Sequence, residues 1–345
     1  LDLQKSYKED IRLFKKPSAL VAFLVFLVGL IVFPFLMLKV SGGSYYINAV
    51  NLIAIYAIVA VGLNILVGYT GQISLGHAGF FAIGAYAQAL LVARGDVPML
   101  VALIVAGLIA AVFGLLLGLP ALRLEGPYLA IATLGFGMAV CQIIGRLDFL
   151  GGRMGFSVPP PGLSGWVKAW LAHLYSPELA VDAPQYAMYL LIIPVSVILT
   201  IAAVNLMKSK VGRAFVAIRD SEVAAETIGV NLTRYKTTAF AVSAFYTGIA
   251  GGLYAHHMAF INPESFDLRL SILFLAMVVV GGLGSVLGSH LGALLITLLM
   301  FSLTAVRDVP EIIFGAIMIL IILFEPLGLR GRWLKIKFYW KAWPF

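Results

Sequence analysis

Charge is scarce in this chain. Only 12% of its 345 residues are Asp, Glu, Lys or Arg, against about 25% in a soluble globular domain, and the mean hydropathy is +1.01. That shortage excludes a water-soluble fold. Cysteine is scarcer still. Cys141 stands alone, so no intramolecular disulfide can form, and its place inside an apolar run reads as a small buried hydrophobe. HExxH, CxxC and GxSxG are all missing. His256 and His257 are adjacent and point to different helix faces, whereas a zinc-ligand pair wants spacing such as i, i+4 on one face. No metal site and no catalytic constellation follow from these residues, which disfavours a membrane enzyme. The dipeptide Gly-Lys occurs nowhere, so there is no P-loop and the chain does not bind ATP in that way. Short alternating segments of about ten residues, the mark of a β-barrel, are absent as well.

Long apolar runs are what the chain has instead. They fall at 19–38, 45–67, 73–92, 97–119, 127–145, 186–207, 237–257, 268–283, 285–305 and 311–327, and several reach the roughly 18–20 residues that span a hydrocarbon core. The expected fold class is an all-α polytopic membrane protein. The run 19–38 is longer than a signal-peptide core of about 7–15 residues and reads as a retained anchor. The run 73–92 carries Gly76, His77, Gly79 and Gly84, and 268–283 is short and ends in glycines. Either reads as a re-entrant or broken helix, so about eight to ten transmembrane segments are expected. With ten crossings and the N-terminus inside, 17 of the 24 basic residues fall on the inner side. By the positive-inside rule both termini are cytoplasmic. The expected organisation is a cytoplasmic segment 1–18, one transmembrane domain 19–329 and a basic cytoplasmic tail 330–345. Residues 146–185 form an extracytoplasmic loop, with a short interfacial helix at 165–175, and 208–236 form a cytoplasmic one.

Charge is also missing from the middle of the spans. Arg94, Asp96, Arg146, Asp148, Asp267, Arg269, Arg307, Asp308 and Glu325 sit at or beyond helix ends. An ion-driven transporter keeps ionisable relays deep in its helices, so this pattern disfavours a proton-coupled machine and leaves room for a passive channel. The polar groups within spans are neutral: Asn64, Gln72, Ser74, His77, Gln88, Thr133, Gln142 and His290. Glycine-broken segments often mark transporter binding sites. "NILVGYTGQISLGHAG", 64–79, has that character, with a weaker echo at 280–292. Asn64, Thr70, Gln72, Ser74, His77 and Thr133 are therefore the candidate pathway residues. The competing reading is that the glycines permit tight packing and the polar groups cross-link helices.

One stretch breaks the apolar rule. "GRAFVAIRDSEVAAETIGVNLTRYK", 212–236, is charged and rich in helix formers. Asp220 and Ser221 can cap a helix beginning near Glu222, Glu222 complements its dipole, and Gly229 and Asn231 offer C-terminal turn positions. A two-turn helix over 221–229 is expected, with Val223, Ala224, Ala225 and Ile228 as its small or apolar contacts. A plain cytoplasmic linker is the alternative.

"EVAAETIGVN" resembles the EAA loop of permease subunits of ABC importers, keeping Glu222, Ala224, Ala225 and Gly229 of that pattern. More widely, "GLNILVGYTGQISLGHAGFFAIGAY" (62–86), "GLPALRLEGPYLAIATLGFG" (118–137), the stretch 212–256, "PESFDLRLSILFLAMVVVGGLGSVLGSHLGA" (263–293) and "LFEPLGLRG" (323–331) resemble the branched-chain amino acid permeases of LivM type. The resemblance implies a transmembrane subunit of an ATP-driven importer in a bacterial or archaeal inner membrane. Its partners would be a second permease subunit, two ATP-binding subunits that hold ATP and Mg2+, and an extracytoplasmic solute-binding protein. The chain itself would hold no cofactor and would be no enzyme. Transport would proceed by alternating access, with Arg213, Arg219, Asp220, Glu222, Ala225 and Gly229 coupling it to the ATP-binding subunit. Of these, Glu222, Ala225 and Gly229 are expected on or beside the docking face. The rival function is a passive channel for a small neutral solute such as urea or an amide.

Overall fold

The computed structural model describes residues 17–37, 42–122, 124, 126–159 and 183–303, with a few positions between 315 and 339. Nearly all of the expected N-terminal segment, Arg123, the helix read into 165–175, most of the span read into 311–327 and most of the basic tail lie outside the described residues.

Among the described residues the chain is helical almost throughout. Helices α1 (Pro17–Met37), α2 (Gly43–Asn64), α3 (His77–Gly95), α4 (Met99–Ala121) and α5 (Pro127–Ile144) precede the long loop after Ile144. Then follow α6 (Ala183–Lys208), α7 (Lys210–Asp220), α8 (Glu222–Thr227), α9 (Leu232–Met258), α10 (Leu268–Gly281) and α11 (Val286–Leu303). Five segments are long and apolar enough to cross a membrane: Gly43–Tyr69, His77–Gly95, Met99–Ala121, Pro127–Ile144 and Gln185–Lys208. The chemistry of the boundaries is local. Asp96 adopts a left-handed conformation, and the Val97 amide reaches back to the Leu91 carbonyl, closing α3 just before Pro98 starts α4. Gly126 has positive φ and Pro127 opens α5, a position where its missing N–H costs nothing.

Helix α9 is the hub, packing on α4, α3 and α2. Lipid tails are as apolar as leucine, so helices in a bilayer associate through close approach of small residues. A Cβ on Gly84 would lie 2.1 Å from the Gly248 carbonyl oxygen, and one on Gly251 would lie 2.1 Å from that of Phe81. The α3–α9 contact is therefore backbone against backbone. Around it sits an aromatic cluster in which Tyr56 and Phe81 both meet Phe274 edge to face, at 5.6 and 5.3 Å between ring centres. In contrast, α4 turns Leu100, Ile104, Leu108, Val112 and Leu116 outward, as a helix facing lipid does.

Two interruptions lie at the ends of the segments read as broken, one before α3, which itself runs unbroken through Gly79 and Gly84, and one after α10. The chain leaves helical hydrogen bonding after a π-turn at Ile65–Tyr69 and re-enters it only at His77. Helix α10 ends at Gly281; at 14 residues it is about 21 Å long, short of the roughly 30 Å of a hydrocarbon core. The Gly282–Ser285 turn then sends α11 back along it, so close that a Cβ on Gly292 would meet the Met277 carbonyl oxygen. After α5 and α9, β1 (Phe156–Ser157) pairs antiparallel with β2 (Phe260–Ile261).

Candidate functional site

The first interruption is built from the end of α2. The Thr70 hydroxyl donates to the Leu66 carbonyl oxygen, and the Gln72 amide N–H donates to that same carbonyl at 3.1 Å. Gly71, at φ +74°, turns the chain out of the helix. Beyond it the backbone groups are satisfied by side chains from neighbouring helices. The Leu75 amide donates to Thr133 Oγ1 at 3.0 Å, while Thr133 donates to the Ala130 carbonyl at 2.9 Å. The Ala78 amide, one of the orphan donors at the start of α3, donates to Ser271 Oγ on α10 at 3.0 Å. The His77 ring bridges Ser74 Oγ (2.9 Å) and Ser243 Oγ on α9 (2.7 Å) and is fully buried.

The second interruption is clasped by the end of the same helix. Asn64 Nδ2 donates to the Gly282 carbonyl (3.3 Å), the Ser285 carbonyl (3.0 Å) and Ser289 Oγ (2.7 Å), and its Oδ1 accepts from the Gly284 amide at 2.9 Å. One buried amide thus joins the two broken regions. Thr70 and Thr133 are likewise spent on backbone, while Ser74 and His77 are spent on the side-chain bridge to Ser243. Gln72 differs: its side chain is buried, yet neither Oε1 nor Nε2 has a hydrogen-bond partner.

The charged insert folds as two helices, not one. Ser209 caps α7 by accepting from the Val211 amide. Ser221 caps α8 by accepting from the Ala224 amide at 3.2 Å, as its residue type suggests. Asp220 does not cap; its carboxylate takes two hydrogen bonds from Arg219, at 2.9 and 3.1 Å. Gly229, at φ +86°, closes α8, with the Val230 amide donating to the Ala225 carbonyl. Asn231 caps the following helix α9 instead, through the Arg234 amide at 2.9 Å. Arg219 also donates from Nη1 to the Gly68 carbonyl at 3.1 Å, inside the π-turn. Glu222 is ion-paired with Lys236 on α9.

This layout, one broken-helix core beside a short capped helix, runs through the stretch that a single family model covers. The chain belongs to the family described as branched-chain amino acid transport system / permease component, whose model matches residues 45–324. The permease is 37% identical over 329 residues to the high-affinity branched-chain amino acid transport system permease protein LivM of Escherichia coli, covering 91% of this chain and 75% of that protein. It is 24% identical over 297 residues to LivH of the same organism, covering 83% and 94%. A probable LivM of Methanocaldococcus jannaschii is 25% identical over 331 residues, covering 80% and 90%. No solved structure matches the chain. The comparisons support the transport reading and lend nothing to the urea or amide channel.

Six coupling residues were expected in this permease from its sequence, and their placements differ. Arg213 is on the outward side of α7, Arg219 and Asp220 lie at its end, and Gly229 is in the exposed turn after α8. Ala225 requires a correction: it is 1% exposed, packed toward the chain's own core, whereas Val223 and Ile228 are each 75% exposed. A six-residue helix has only one face to bury, and Ala225 occupies it. The outward apolar pair is therefore Val223 and Ile228. Two residues that the sequence did not single out, Ser243 and Ser271, hold the first break from α9 and α10. Each is a lone serine in an apolar run, with nothing local to mark its partner.

Proposed function

We propose that this permease is the membrane-spanning subunit of an ATP-driven importer for branched-chain amino acids, in a bacterial or archaeal inner membrane. It works with a second permease subunit, two ATP-binding subunits and an extracytoplasmic solute-binding protein. The bias of its basic residues supports cytoplasmic termini, about eight to ten crossings and the α7–α8 insert on the cytoplasmic side. Likeness to both LivM and LivH of one organism supports a paired permease.

The observation that carries the mechanism is Arg219. Its guanidinium grips Asp220 at the α7–α8 junction and, with another N–H, the Gly68 carbonyl in the π-turn. A π-turn is a recurrent feature of functional helices, and this one opens directly into the glycine-broken stretch. Val223 and Ile228 on α8 seat against the ATP-binding subunit. Movement of α8 passes through the rigid α7–α8 junction and Arg219 to the π-turn. From there it reaches the second break through Asn64. The bundle then exchanges outward- and inward-facing forms, which only moves solute if ligand and nucleotide bind the two forms with different affinity. The spans offer the solute no mid-span charge; neutral polar side chains such as Gln72, whose amide has no partner within the chain, serve instead.

Arg219→Gln in the reconstituted complex tests this. It keeps length and polarity but loses the forked geometry that spans two acceptors. ATP hydrolysis should persist while leucine uptake falls at least tenfold. Parental uptake by the variant would refute the coupling route, and equal uptake without ATP would turn the reading back to a channel.

A further inference from the structure

Lys236 is the one Lys, Arg, Asp or Glu that is buried among the described residues, at 5% exposed. It stands in the second turn of α9, and its ammonium donates to the Glu222 carboxylate on α8. Among the described residues no other carboxylate pairs with it. Membrane topology alone asks for no such burial: Lys210 and Arg234, in the same insert, carry positive charge while exposed. Removing one partner of a buried ion pair leaves an uncompensated charge out of water, which is strongly destabilising. Helix α8 is thereby bound to the start of α9, and the two shift together.

The place of Lys236 on α9 matters as much as its burial. Residues 236 and 243 are seven apart, two turns of helix, so they share one face and stand about 10 Å apart along the axis. At the second of these positions Ser243 Oγ meets the His77 ring, which opens α3 and ends the first break. Between them α9 lies hard against α4. A Cβ on Gly118 would be 3.1 Å from Thr237 Cα, and one on Gly114 would be 2.7 Å from the Phe240 carbonyl oxygen. Arg219, on the other side of the α7–α8 junction, holds the Gly68 carbonyl where the same break begins.

We propose that Lys236 is a positioning residue of the transport cycle. The Glu222–Lys236 pair is a strut that carries movement of α8 into α9, and through Ser243 and His77 to the far end of the first break. Arg219 carries the same movement to its near end. One short helix thus sets the separation between the π-turn and the start of α3, rather than pulling on one side of the break alone. The inference rests on the reading of the permease as an importer driven through α8.

The test uses the full complex reconstituted in vesicles, with leucine as solute, and reads the ATP hydrolysed per leucine imported. The neutral pair Glu222→Gln with Lys236→Met removes the strut without leaving a bare charge. It should assemble and still hydrolyse ATP, while the ATP spent per leucine rises about fivefold or more. The exchanged pair Glu222→Lys with Lys236→Glu keeps both charges and their combined reach, and should return the ratio to within about twofold of the parent. A merely structural pair would instead lower yield and thermal stability and leave the ratio of the assembled complex unchanged. A parental ratio in the neutral pair, its failure to assemble, or an assembled exchanged pair no better coupled than the neutral one would overturn the strut. Any of these alongside ATP-driven leucine uptake by the parent removes the strut and leaves the importer reading intact. Leucine uptake by the parent without ATP sinks that reading, and the strut with it.

Discussion

Replacing Asn64 with leucine isolates the clasp between the two helix breaks. The side chain is 1% exposed and makes four hydrogen bonds to the Gly282–Ser289 region. Leucine keeps a similar volume and removes all four. The Ser285 carbonyl still accepts from the Ser289 amide at 3.0 Å, but the Gly282 carbonyl and the Gly284 amide lose their Asn64 partner. Orphaning two buried backbone groups costs about 1–3 kcal/mol each. Hydrogen bonds between membrane helices average only about 0.6 kcal/mol, which sets the lower end. The expected loss is about 2–5 kcal/mol. Ser289→Ala removes one of the four contacts and should cost under about 1 kcal/mol. The assay is thermal loss of the monodisperse complex in detergent, where Asn64→Leu should lower the apparent midpoint by about 5–10 °C and Ser289→Ala by much less. If Asn64→Leu matches the parent in stability and yet transports slowly, the residue serves solute directly and the clasp argument is wrong.

Gly251→Val should abolish the assembled complex, because its Cβ would sit 2.1 Å from the Phe81 carbonyl oxygen with no flexible side chain to give way. Overpacking of ordinary cores already costs about 1–3 kcal/mol, and normal yield of the variant would show that α3 and α9 separate more easily than their packing implies. Single cysteines at Met154, which is 91% exposed, and at Ser209 should react with an impermeant thiol reagent from opposite faces of the membrane in a Cys141→Ala background. Labelling from one face would refute the assigned topology.

The helices of this fold were legible because their runs are apolar on all sides, and the boundaries because capping is local. Ser221 and Gly229 act at α8 as their residue types suggest. What could not be read is which way side chains face. A helix of six residues shows too little of a 3.6-residue period to orient it, so nothing in "EVAAETIGVN" distinguishes the buried Ala225 from the exposed Val223. The partners of polar residues were hidden for another reason. Asn64 meets a turn more than two hundred positions away, and His77 meets Ser243 on α9, 166 positions away. The stretch 64–79 is non-helical in part, as its glycines suggest, yet Asn64 and Thr70 serve backbone and Ser74 and His77 serve each other and Ser243, which leaves Gln72 unpartnered.

The small ribbon between Phe156–Ser157 and Phe260–Ile261 imposes a parity rule on the membrane. Two strands can pair only on the same side of a bilayer, so the chain between them crosses an even number of times. In the proposed topology α6 and α9 are the two passages, which puts the α7–α8 insert on the side opposite the ribbon. The strands are about a hundred residues apart, and at about 5–20 residues per second of synthesis the first waits roughly 5–20 s for the second. A chain that failed to thread one of the two passages would strand its ribbon halves on opposite faces. The ribbon thus closes only over a loop that crosses an even number of times.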